Sequence, residues 1–174
     1  RLSLVGSEMC IRDSNMITTL EKSFKKIQSS IINNFKQVES SNETQISSDT
    51  WKRTEGGGGK TFVISDGNFF DNCAVNFSSI YGDKMPDSAL GKKLAKKIDY
   101  GYQAMGVSVI SHPKNPYVPS SHMNVRLFGI LDKDKHIKEW WIGGGYDLTP
   151  YIPFSEDIIS CLLYTSDAAD DLLC

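Results

Sequence analysis

Apolar positions divide this chain into one long helical stretch and a series of short extended runs. In residues 16–39, Ile17, Leu20, Phe24, Ile27, Ile31, Phe35 and Val38 recur at steps of three and four, which places them on one face of an α-helix. Lys22, Lys25, Lys26 and Lys36 fall off that stripe. The pattern predicts a helix packed on a sheet with a solvated basic side, not a membrane-surface helix. Residues 40–49 are polar and read as a linker. Residues 60–65, 69–70 running on through 74–79, 106–111, 123–131 and 138–142 are β-prone, and 131–136 reads as a hairpin connection. Helical spacing returns in residues 88–102 with Leu90, Leu94, Ala95 and Ile98. Helix, strands, helix, strands, without regular alternation, predicts an α+β fold built on an antiparallel sheet.

The two ends do not join this pattern. Residues 1–15 and 160–174 show no continuous apolar face and look like translated adaptor sequence. The expectation is that both are non-native and that residues 16–159 are the N-terminal part of one domain, cut short. The whole chain carries 19 basic and 21 acidic residues. Setting the ends aside removes Arg1 and Arg12 against Glu8, Asp13, Asp167, Asp170 and Asp171, which leaves 17 against 16. A near-neutral chain gives no electrostatic reason to expect nucleic acid or an anionic membrane. Cys10, Cys161 and Cys174 lie in the ends, so Cys73 stands alone and supports neither a disulfide framework nor a cysteine zinc site. No run reaches the ~18 apolar residues of a membrane span. A cytoplasmic protein in a reducing compartment is expected.

Chemistry concentrates in residues 108–126. His112 and His122 flank Pro113, Pro116 and Pro119, which fix φ and remove N–H donors. The geometry expected is two strands joined by a stiff loop, with one histidine near each end. His122, Asn124 and Arg126 stand at i, i+2 and i+4 and share one strand face, where a buried apolar strand would not carry them. A guanidinium binds a carboxylate through two parallel bonds, so an anionic ligand is expected. The histidines read either as a hydrogen-bonded structural pair or as half of a divalent-metal site whose other ligands lie elsewhere. His136, in a charged turn, is a poor third ligand.

Two glycine runs need separate readings. Gly56, Gly57, Gly58, Gly59, Lys60 and Thr61 suggest a phosphate loop, but Thr54 occupies the first glycine position of that motif and β-prone Phe62, Val63 and Ile64 follow where a helix is required. A strained turn, or backbone passing close to something bulky, is the better reading. In residues 140–150, Trp140 and Trp141 point to opposite faces, and one is expected to pack under a helix. Gly143, Gly144 and Gly145, expected at the strand's end, leave room for a large ligand. Asp147 reads equally as a helix N-cap or turn acid and as a site carboxylate.

Taken in order, these segments resemble oxygen-dependent coproporphyrinogen III oxidase. The resemblance rests on Trp51 and Arg53 with the first glycine run; Val75, Asn76, Phe77, Ser78 and Gly82; Met105 through Ser108; His112 with Pro113; Asn115 with Pro116; Pro119 to His122; Asn124 and Arg126; and Trp140 through Pro150. It implies a large antiparallel sheet flanked by helices, working as a homodimer. It implies oxidative decarboxylation of two propionates of coproporphyrinogen III to vinyl groups, with O2 as co-substrate and no organic cofactor. By position, His122 is the implied proton donor and Asp147 the acid facing the pyrrole N–H groups. Ser108, Asn124, Val125 and Arg126 are the implied substrate contacts. His112 and His122 match two of the histidines assigned to a divalent cation in bacterial members. Ile142 and Asp71 depart mildly, standing where phenylalanine and glutamate are usual, and the family's later segments are missing. A tetrapyrrole-binding fragment without turnover is therefore the principal alternative, and a two-histidine metallohydrolase a weaker one.

Overall fold

The computed structural model describes residues 7–39, 44–84 and 101–159, with side chains from Met16 onward. Helix α1 spans Ser7–Glu39, followed by β1 (Gln45–Lys52), β2 (Gly57–Ser65), β3 (Phe70–Gly82), β4 (Gly101–Pro113), β5 (Ser120–Leu131) and β6 (Ile137–Thr149). The strands form one six-stranded sheet in the order β1-β2-β3-β4-β5-β6, every neighbour antiparallel. The α+β class and the antiparallel sheet match the expectation.

Several details differ. The helix starts at Ser7, inside the segment set aside at the front. The supposed linker holds most of β1, whose eight residues are all exposed. An edge strand open to solvent on both faces needs no apolar alternation, and its polar composition hides it. The helix expected over residues 88–102 falls mostly outside the described residues, while Gly101 and Tyr102, assigned to its end, are the first residues of β4.

One face of the sheet meets α1. Phe24 and Ile32 pack with Phe62, Ile64, Phe70, Cys73, Val75, Phe77, Met105, Val107, Val109 and Leu127 in a single cluster. Each fully buried side chain of this size stabilises the fold by roughly 1.5–3 kcal/mol. Two polar groups on α1 fasten it. Buried Gln28 donates from Nε2 to the carbonyls of Lys60 (2.8 Å) and Val75 (3.0 Å), bridging β2 and β3. Buried Glu39, at the helix C-terminus, accepts from the backbone N–H groups of Asn68, Phe69 and Phe70 in the β2–β3 turn.

Local chemistry sets the connections. Asp132 Oδ1 accepts from the N–H groups of Asp134 and His136, each at 2.9 Å, and closes the expected β5–β6 hairpin. Pro113, Pro116 and Pro119 keep residues 114–119 out of the ladder, leaving His112 and His122 near the strand ends that the loop joins.

Candidate functional site

Strand alternation sends the remaining residues of β3 to β6 to the face opposite α1. There Ser108, His122, Asn124, Arg126, Gly145 and Asp147 line an open cavity of about 490 Å³. Register explains the grouping. Asn76, Ser108, Asn124 and Gly145 are successive cross-strand partners, Gly106, Arg126 and Gly143 form the next row, and Ile110, His122 and Asp147 the row on the other side.

The histidines and the acid form a chain. His112 Nε2 lies 3.0 Å from His122 Nε2, with the rings edge to face. His122 Nδ1 lies 2.8 Å from Asp147 Oδ2, which also accepts from the Thr149 hydroxyl at 3.2 Å. An ionised Asp147 can only accept, so it fixes the proton on His122 Nδ1 and leaves Nε2 to give or take a proton. Asp147 is therefore neither a helix cap nor a turn acid; it lies within β6 and orients an imidazole.

The same Nε2 pair suits a cation. His112 and His122 would be the residues to hold it, with Asp147 on the far nitrogen of the His122 ring, as metal-bound histidines commonly have. Among the described residues no further His, Cys, Asp or Glu joins them as a ligand cluster. Asp132, Asp134 and His136 do cluster, but the Asp132 carboxylate is engaged by the His136 and Asp134 N–H groups, which hold its pKa below the ordinary value despite partial burial.

Arg126 is exposed and has no ion-pair partner among the described residues. A Cβ on Gly106, its β4 partner, would run into the Val125 carbonyl oxygen and come within 2.8 Å of Arg126 Cγ, so the glycine serves the close approach of the β5 backbone as well as the lie of the Arg126 side chain. Val125 points the other way and packs against the α1-side core, so its side chain is not with the others.

The glycine runs behave differently. Gly56 and Gly57 turn with positive φ, and Tyr81 occupies the space over Gly56. Trp51 covers Gly59, its register partner, so the bulky neighbour of the first run is the protein itself. The second run lies inside β6 rather than at its end. Neither tryptophan is buried under a helix; both are exposed, and Trp141 stacks on Phe128 (5.0 Å), which stacks on Tyr102 (5.9 Å). The Tyr102 hydroxyl accepts from Arg53 at 2.7 Å, which raises the pKa of that guanidinium.

Sequence reasoning did not single out Asn76 or Gly106 as site residues. Asn76 Oδ1 and Asn124 Oδ1 are both shielded from solvent and lack a hydrogen-bond partner among the described residues. Only cross-strand register shows that Asn76 continues the polar row on a strand distant in sequence.

No helix among the described residues is long and apolar enough to cross a membrane. Comparison with protein families matches the chain to the family described as coproporphyrinogen III oxidase over residues 19–171. That span includes the whole sheet and every residue of the cavity.

Proposed function

The chain belongs to the coproporphyrinogen III oxidase family, and from that premise we propose that its cavity takes coproporphyrinogen III and converts two propionates to vinyl groups with O2 as oxidant, yielding protoporphyrinogen IX. Each propionate loses its carboxylate as CO2, and the two electrons that leave the side chain reduce O2. With the carbon-bound hydrogen and one further proton, O2 becomes hydrogen peroxide. The observation that carries this reading is the gathering of His122, Asn124 and Arg126 with Ser108 and Asp147 at one open cavity on the face away from the core.

Roles follow from position. Arg126 holds a propionate through charge-assisted hydrogen bonds. Ser108 and Asn124 supply further hydrogen bonds to the bound ring. His122, held by Asp147, delivers a proton from Nε2 as oxygen is reduced. Asp147 also offers a negative charge to pyrrole N–H groups. Electron-rich pyrrole reacts with O2 once positioned, so these residues contribute mainly orientation and charge placement. With a divalent cation present, His112 and His122 would be two of its ligands through Nε2, and it would supply Lewis-acid charge there in place of the proton on His122 Nε2. No organic cofactor enters this scheme, and a homodimer in the cytoplasm belongs to the same proposal. Exposed Trp140 and Ile142 on the α1 side of β6 suit a protein neighbour.

The test mixes the chain with coproporphyrinogen III without oxygen and then admits air. Vinyl product and CO2 above a protein-free control support the oxidase. Binding without product supports a tetrapyrrole-binding piece, and absence of both refutes the reading.

A further inference from the structure

Gly143, Gly144 and Gly145 are consecutive in β6, yet the structure gives them different reasons to be glycine. A Cβ on Gly144 would run into the backbone of Asn124 and Val125. A Cβ on Gly143 or Gly145 would meet nothing within 4 Å, and neither residue takes a positive φ. Folding therefore does not require glycine at 143 or 145. A glycine inside a strand weakens it, because the chain loses more entropy on ordering and packs no side chain. Both bare positions lie on the cavity face, Gly143 beside Arg126 and Gly145 beside Asn124. Trp141 bounds them at one end and Asp147 at the other, six residues or roughly 20 Å apart along the strand.

We propose that Gly143 and Gly145 are specificity-determining positions: they keep a stretch of sheet bare so that one face of a wide, carboxylate-bearing ring can lie against it, anchored by Arg126 and bordered by Asp147 and Trp141. The inference rests on the proposed function and adds to it a distinction between ring width and charge. A methyl at either position intrudes into the ring's plane of contact while leaving the protein's own contacts intact. A single pyrrole with one propionate is too small to span the bare stretch, so its hold on Arg126 does not depend on the full width of that stretch.

The test uses the 174-residue chain and its Gly143→Ala, Gly145→Ala and Gly144→Ala variants. Binding of coproporphyrinogen III without oxygen, and of a propionate-bearing monopyrrole, is titrated beside thermal melting. We expect Gly143→Ala and Gly145→Ala to melt no lower than the parent, to bind the tetrapyrrole about tenfold or more weakly, and to bind the monopyrrole unchanged. Gly144→Ala should melt lower, which shows that the melting assay detects a glycine the fold does need. Unchanged tetrapyrrole binding overturns the inference while leaving the proposed function standing. Equal weakening for both ligands overturns it too, because the anion site and not the width would then be affected. Melting depressed as far as in Gly144→Ala would assign these glycines to packing. A parent chain that binds no tetrapyrrole refutes the proposed function, and this inference with it.

Discussion

Replacing Glu39 tests how α1 is tied to the sheet whose other face carries the site. The Glu39 side chain is buried and accepts from the N–H groups of Asn68, Phe69 and Phe70, with the Thr44 hydroxyl donating at 3.1 Å. In Glu39→Ala the buried Phe70 N–H loses its partner outright, which costs about 1–3 kcal/mol. Asn68 and Phe69 belong to exposed residues, so water replaces their acceptor and each loss is smaller, about 0.5 kcal/mol. The total is about 2–4 kcal/mol, a large share of a typical domain's stability. Urea unfolding at pH 7 measures it. Burial alone would raise the Glu39 pKa, but the hydrogen bonds from Phe70, Asn68, Thr44 and Phe69 outweigh it and hold the group below its ordinary value of 4.5. Its contribution is thus complete above that value and is lost as pH falls through the lower folded-state value. Glu39→Gln should be less stable at neutral pH and should show less of the parent's stability loss on acidification. A Glu39→Ala chain within about 0.5 kcal/mol of the parent, or identical pH slopes for parent and Glu39→Gln, would falsify the argument.

Other outcomes follow from the same geometry. Arg126→Ala should weaken binding of coproporphyrinogen III by about 10- to 100-fold, since hydrogen bonds to charged groups are worth about 1.5–3 kcal/mol, with urea unfolding unchanged; tight binding in that variant would remove Arg126 as the anchor. Asp147→Asn should reduce turnover by about 10²–10⁴ through the misoriented His122, while tetrapyrrole affinity falls much less; a turnover assay beside a binding titration separates the two. Gln28→Leu should destabilise the fold by about 1–3 kcal/mol, because the Lys60 and Val75 carbonyls lose their donor, a loss that calorimetry would register. The Cys73 thiol is pushed up to about 11, chiefly by burial and further by the Glu39 charge, against a backbone hydrogen bond at Ile64. With Cys10, Cys161 and Cys174 replaced by serine, a thiol reagent at pH 8 should leave the folded chain unmodified and label it once unfolded; rapid native labelling would contradict the buried position.

Patterning carried much of this protein's organisation without help from tertiary structure. The three- and four-residue steps of the apolar positions from Ile17 to Val38 determine a helix with one sticky face, because 3.6 residues per turn leaves no other way to gather them. Period two along β5 determines that His122, Asn124 and Arg126 share a side, and the three prolines determine a loop between His112 and His122. Tertiary structure decided what period and spacing do not encode. Edge position made β1 a strand, since polar residues open to water on both faces give no alternation to read. Cross-strand register placed Asn76 beside Ser108 and Asp147 beside His122, turning an acid with two equal readings into the partner of an imidazole. The two glycine runs look alike as strings of residues. Trp51 fills the space over Gly59, while the space over Gly143 and Gly145 stays open, because packing depends on which side chains the neighbouring strands deliver to the same place, and that is settled only when the sheet forms.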